Sequence, residues 1–319
     1  MKTFLKNICF LALILFFVFG SIEILLLFIP NTYSYKYNYL KTHINDIRVL
    51  FLGNSYFEEG IRADLIEKGS FNLASSGRNI AFDAEIARQY FSQMSRLEVV
   101  VVPLDYSVFD FGRGVKNPQD KRLGIEAMAS SFWCMNYKYL NLHVGPFWNW
   151  SEILNSRFNY MSRFWQDRSE SVECDSLGYV KLELGSRVSD WECRSLPPII
   201  DTSKPIDFLS YNNYYQNLLT IAKCCQQAGV KFLLVNTPKS ELYQKDVNAN
   251  VMNEISQFVK RIQAECANTF YVDYTYDTDF VDSDFYDACH LTDCGAIKFS
   301  VKIRHFIVMN NLLKPKIRR

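Results

Sequence analysis

The chain opens on one long apolar stretch and then settles into short apolar runs separated by amphipathic segments. From Ile8 to Ile29 only Gly20, Ser21 and Glu23 break the apolar character. As a helix rising ~1.5 Å per residue this stretch reaches about 33 Å, enough to cross a bilayer. Lys2 and Lys6 precede it, which by the positive-inside rule predicts a cytoplasmic N-terminus and an extracytoplasmic location for everything after Pro30. The alternative is a cleaved signal peptide, with Val18 and Gly20 at the small-residue positions before a cut after Gly20.

Beyond a connector rich in Tyr and Asn, residues 47–53 (IRVLFLG) are β-branched and leucine-rich and stop at a glycine, the pattern of a buried parallel strand. Ile61, Leu65 and Ile66 predict a helix between Gly60 and Gly69. Residues 71–74 read as a second strand, and Asn79 is expected to cap a helix whose apolar face carries Ile86, Ala87, Tyr90, Phe91 and Met94. Residues 99–104 (VVVVPL) form the third and most hydrophobic strand.

The rhythm resumes near residue 210, where Ser210 caps a helix with Tyr214, Leu218, Ile221 and Cys225 on one face and Gly229 at its end. A strand over 231–236 follows, then a helix on Val251, Ile255, Phe258, Val259 and Ile262. A strand over 270–273 and a last helix on Ala296, Phe299, Ile303, Phe306 and Ile307 complete the pattern. Strands alternating with helices predict right-handed crossovers, hence an α/β fold: a three-layer α/β/α sandwich on a parallel sheet of about five strands. The expected organisation is an anchor over 1–30, a connector over 31–45 and an α/β domain over 46–319, with a cap inserted at about 106–205. All five tryptophans (Trp133, Trp148, Trp150, Trp165, Trp191) fall in that insertion, where they are expected to form its core; stacking on sugar rings or on a partner chain is the other reading. Within it, DSLGYVKLELGS reads as a hairpin.

Composition narrows the partners. With 49% apolar residues in 319 the chain can bury a sizeable core, and 35 Lys plus Arg against 34 Asp plus Glu leave no basic surplus for a phosphate backbone. Nucleic acid is therefore excluded as the expected partner. Apart from Cys9 in the apolar stretch, eight cysteines remain, an even number suited to an oxidising compartment. Cys174 with Cys193 and Cys289 with Cys294 are the pairs nearest in sequence, and free buried thiols fit equally well. The chain has no C-x-x-C pair, which disfavours zinc, although Asp287, Cys289, His290 and Cys294 fall close together.

In a parallel α/β sheet, ligands gather at the carboxyl ends of the strands. Three strand ends carry chemistry: Gly53-Asn54-Ser55, Ser75-Ser76-Gly77-Arg78-Asn79 and Asp287-Ala288-Cys289-His290. A serine hydroxyl needs a base to become a nucleophile, and histidine has the pKa for that task. His290 is the expected base, Asp287 holds its other ring nitrogen, and the backbone N–H groups of Ser55 and Gly77 are the expected oxyanion donors. Phe57 stands where a G-x-S-x-G elbow would need its second glycine.

On VLFLGNSYFEEGI, FNLASSGRN and FYDACHLTDCGAIKFS, the chain resembles the SGNH (GDSL-like) hydrolase superfamily, especially the membrane-anchored branch that includes polysaccharide O-acetyltransferases and esterases of the cell envelope. The resemblance implies a flavodoxin-like sandwich, Ser55 as nucleophile, Asp287 and His290 as the rest of a triad, Gly77 as an oxyanion donor, and no metal or organic cofactor. Two positions depart from the family: Asn54 replaces the usual aspartate, and Pro103-Leu104-Asp105-Tyr106 lacks the oxyanion asparagine expected after the third strand. Asn79 is the candidate substitute. The expected function is a serine-dependent esterase or O-acyltransferase on an extracytoplasmic or envelope carbohydrate. A transferase would need a multi-span membrane protein as acyl donor. The alternative is a catalytically impaired binding or assembly factor for envelope polysaccharide.

Overall fold

The computed structural model describes residues 2–27, 32–76, 78, 80–104, 165, 172–189, 191, 208–245 and 249–314. Its strands are β1 (Val49–Phe51), β2 (Ser70–Asn72), β3 (Val99–Pro103), β4 (Lys231–Asn236) and β5 (Thr269–Asp273). The described α-helices are α1 (Lys2–Leu27), α2 (Thr32–Thr42), α3 (Ser55–Glu58), α4 (Ile80–Tyr90), α5 (Phe208–Gln227), α6 (Glu241–Lys245), α7 (Ala249–Glu265) and α8 (Asp293–Met309). The five strands form one parallel sheet in the order β2-β1-β3-β4-β5, with Val49 level with Ser70 and Val99, and Val99 level with Lys231.

Side chains of a strand alternate between faces, and here both faces are apolar. Leu50, Val100, Val102, Phe232 and Leu234 join Ala84, Ile86 and Ala87 of α4, Leu218 and Ile221 of α5, and Phe258 and Ile262 of α7 in one core. Val49, Phe51, Val99, Val101, Leu233 and Val235 join Phe57 of α3 and Phe299, Ile303 and Ile307 of α8 in a second. Two cores on opposite faces of one sheet make the three layers. Each fully buried side chain of this kind contributes roughly 1.5–3 kcal/mol, so the sheet is a rigid platform for whatever its ends carry.

Four expectations need correction or restriction. Residues 60–69 hold no α-helix: a capped turn, α3, starts earlier at Ser55, and a 3-10 turn covers Ala63–Leu65. The buried Asn72 amide donates to the carbonyls of Phe57 (2.6 Å) and Ile61 (3.0 Å); the Phe57 carbonyl also accepts the Ile61 N–H at 3.1 Å, but beyond it Leu65 and Ile66 bond to Arg62 and Ala63, three residues back, in a 3-10 turn. The DSLGYVKLELGS hairpin reduces to one antiparallel bridge, Cys174 with Val180, and a 3-10 turn over Leu184–Ser186. Asp175 and Tyr179 still close a turn, but other backbone bonds go elsewhere: Leu177 accepts from the N–H of Asn72 on the edge strand β2, and the Val180 N–H donates to Glu58. Cys289 and Cys294 are free thiols, as is Cys174, because Cys289 is buried against the His290 loop while Cys294 is exposed on α8. Cys193 and most of the insertion lie outside the described residues; of its tryptophans, Trp191 is buried under Arg187 at 4.7 Å and Trp165 is exposed.

At the N-terminus α1 is helical over Lys2–Leu27 and exposes Phe4, Phe10, Phe16 and Phe17. Among the described residues no helix is long and apolar enough to cross a membrane, so the expected span is not established by the fold. Within the expected connector, α2 packs on the domain through Leu40 and a fully buried Lys36.

Candidate active site

The turn after β1 is forced by Gly53, whose φ of +115° suits glycine and whose hypothetical Cβ would sit 2.4 Å from the Pro103 ring at the end of β3. Asn54 caps α3, its side-chain oxygen accepting from the Tyr56 N–H at 3.2 Å. Ser55 is therefore the first helical residue, with an N–H of the kind a helix leaves unpaired. Its Oγ lies 2.9 Å from His290 Nε2.

His290 comes from the loop between β5 and α8, which is shaped mainly by its own backbone. Phe285 bridges Leu291, and the Tyr286 N–H donates to the His290 carbonyl at 2.8 Å. The Asp287 carboxylate accepts the N–H of Cys289 (2.9 Å) and of His290 (2.8 Å), and its two oxygens lie 3.0 and 2.8 Å from His290 Nδ1. A carboxylate only accepts, so Nδ1 carries a proton, and in the neutral ring Nε2 presents its lone pair to the Ser55 hydroxyl. The fold thus brings Ser55, His290 and Asp287 into one hydrogen-bonded row at the strand ends. Gly77, Asn79 and Asp105 lie outside the described residues.

The charges in the row are coupled. Burial works against ionised Asp287, but the hydrogen bond and charge of His290 and the two backbone N–H groups outweigh it and hold the carboxyl well below the usual range. Burial likewise opposes the imidazolium, yet the neighbouring Cys289 and Asp287 raise His290 well above the ordinary histidine value.

Sequence reasoning missed the polar groups that brace this row. The Lys36 ammonium on α2 donates to Glu58 Oε1 (2.7 Å) and to the Ala74 carbonyl (2.5 Å). Glu58 Oε2 in turn accepts the N–H (2.5 Å) and hydroxyl (2.6 Å) of Ser76. This buried pair ties α2, the serine helix and the loop after β2 together. Arg78 of that loop donates to the Leu73 carbonyl (2.6 Å) and to Asp83 Oδ1 on α4 (2.5 Å), and Asp83 also holds the Gly53 backbone. Glu59 is a second carboxylate near the reacting side of the ring, its Oε2 4.0 Å from His290 Nε2. Burial pushes Glu59 up to about 6; His290 pulls it down and Glu58 reinforces the rise. Tyr56 stacks on His290 at 5.2 Å and carries the buried Lys239 ammonium 3.8 Å from its ring centroid. Of these, only the Glu58-Glu59 pair beside the serine offered a signal in the sequence, and nothing in it distinguishes a buried carboxylate from a solvated one.

No protein-family profile and no curated protein matches the chain. Among solved structures it is similar to a Streptococcus pneumonia protein provisionally named a platelet activating factor, at 13% identity, covering 91% of this chain and 98% of that one with a TM-score of 0.43. It is also similar to a Bacteroides fragilis protein provisionally named an acylhydrolase, at 11% identity, covering 86% and 95% with a TM-score of 0.40. Both likenesses are too distant to bear on what this chain does.

Proposed function

We propose that this chain is an SGNH-type serine esterase or O-acyltransferase that removes or transfers a small acyl group, acetyl first among them. The observation that carries the reading is the unbroken row of hydrogen bonds from the Ser55 hydroxyl through both ring nitrogens of His290 to Asp287. Ser55 Oγ attacks the ester carbonyl as its proton passes to His290 Nε2; Asp287 stabilises the imidazolium; the imidazolium then returns the proton to the leaving alcohol. The resulting acyl-Ser55 ester is cleaved by water or by a sugar hydroxyl, activated by the same nitrogen. The backbone N–H groups of Ser55 and Gly77, with Asn79 as a third donor, stabilise the oxyanion.

The substrate in this reading is an acylated glycan of the cell envelope, with α1 holding the enzyme at the membrane and the site on its outer side. As a transferase it draws its acyl group from a multi-span membrane protein. A fluorophosphonate probe tests the chemistry: the full chain is expected to label, and Ser55→Ala to abolish the label. Acetate release from a chromogenic ester is expected to disappear in His290→Ala. A wild-type chain that never labels overturns the proposal in favour of a binding factor.

A further inference from the structure

Beside the row of hydrogen bonds sits a thiol that the reaction does not use. Cys289 Sγ lies 3.5 Å from Asp287 Oδ1 and 3.6 Å from His290 Nδ1, and that nitrogen and oxygen are 3.0 Å apart. Asp287, Cys289 and His290 thus offer one sulfur, one nitrogen and one oxygen within 4.8 Å of one another. Tetrahedral zinc, with bonds of about 2.3 Å to sulfur and about 2.0–2.1 Å to nitrogen and oxygen, needs edges of about 3.6 Å for S···N, about 3.5 Å for S···O and about 3.3 Å for N···O. Two of the three edges are already at those lengths, and the third has to open by only about 0.3 Å. The Asp287 side chain is 43% exposed and that of His290 23%, which leaves a solvent-facing approach to the buried Cys289.

We propose that Asp287 Oδ1, Cys289 Sγ and His290 Nδ1 form an exchangeable zinc site that switches the enzyme off. One thiolate and one carboxylate neutralise the charge of Zn²⁺, a neutral imidazole supplies the third ligand, and water takes the open fourth position. Binding releases the thiol proton to solvent. It also displaces the proton from Nδ1, and the one proton left on the neutral ring resides on Nε2. That nitrogen then donates toward Ser55 Oγ and cannot accept the serine proton, so zinc fixes the wrong tautomer without occupying the acyl pocket. The binding half of the proposal stands on geometry alone; the inhibitory half rests on the reading of Ser55 as nucleophile and His290 as base.

The test uses the purified full chain in detergent, with Zn²⁺ as inhibitor and Co²⁺ as spectroscopic substitute. One Zn²⁺ per chain is expected to block ester hydrolysis, EDTA to restore it, and Co²⁺ to produce a thiolate-to-cobalt absorption. Cys289→Ser and Cys289→Ala are expected to remove that absorption and to raise the half-inhibiting Zn²⁺ concentration at least tenfold, each measured against its own uninhibited rate. Cys294→Ser is expected to change neither. An active wild type without the cobalt–thiolate band, or with a band and inhibition that survive both Cys289 variants, overturns the site while leaving the esterase intact. A chain that never hydrolyses esters but shows a Cys289-dependent band keeps the metal site and overturns its inhibitory role together with the proposed function. Absence of the band from the wild-type spectrum overturns the site even if a variant fails to fold.

Discussion

Ser55 and His290 stand 2.9 Å apart, yet the chain delivers them by opposite means. The serine side is braced from a distance: Lys36 reaches Glu58 from α2, Asp83 reaches Arg78 and Gly53 from α4, and both ion pairs are buried. The histidine side is braced within its own loop, where Asp287 orients a ring three residues away and accepts the N–H groups of Cys289 and His290, and from outside by Ser240, whose N–H and hydroxyl donate to the Ala288 carbonyl. Long-range bracing links the position of the serine to global stability, because a charge stranded by loss of its partner is costly. Local bracing separates the two, because the loop can lose a catalytic atom and keep its shape.

Substitutions at six positions break or sharpen this contrast. The largest effect is expected on catalysis at the row itself: Ser55→Ala or His290→Ala should lower ester hydrolysis by about a million-fold, with thermal unfolding close to wild type. Asp287→Asn should cost about 10⁴-fold in kcat, because Asn can donate to Nδ1 and favour the wrong tautomer. On the serine side the balance should reverse. Lys36→Met leaves Glu58 buried without its cation, and urea unfolding is expected to register a loss of about 3–5 kcal/mol, partly recovered by adding Glu58→Gln. A loss below about 1 kcal/mol would erase the distinction between the two sides, since that is the worth of an ordinary surface pair.

The smallest effect is expected at Glu59, whose pKa in the fold, about 6, lies above its ordinary 4.5. A carboxyl raised in this way contributes fully to stability below the unfolded value, and that contribution is lost as pH rises through the folded one. Glu59→Gln should therefore match wild type near pH ~4 and exceed it by at most about 2 kcal/mol near pH ~8, measured as unfolding free energy across that range. Equal stability at both ends would show that burial does not strain this carboxylate.

These contrasts also explain what the sequence could and could not say. Residues 99–104 and 231–236 announce strands because a core strand is apolar on both faces, and the runs are uninterrupted. Asp287 and His290 are legible together because three residues of one loop suffice to join them. Ser55 is legible because it follows a strand and a glycine. Lys36, Glu58 and Asp83 are not, because each is a common surface residue whose burial depends on a partner from another element. The helix expected after Gly60 fails for a related reason: Ile61, Leu65 and Ile66 have helical spacing, but Asn72, a strand residue, donates to the Ile61 carbonyl, and the chain closes a 3-10 turn there instead. The Cys289–Cys294 proximity in sequence likewise said nothing about direction, and the two thiols face different surroundings.

The contact between Gly53 and the Pro103 ring carries a consequence for substitution. Pro103 can be exchanged for a smaller residue without disturbing the backbone at position 53. Any side chain gained at position 53 while the ring is present meets it at 2.4 Å and also inherits a φ of +115°. Shortening the residue at position 103 therefore relieves the contact but not the left-handed backbone, so glycine remains the residue that fits position 53 either way.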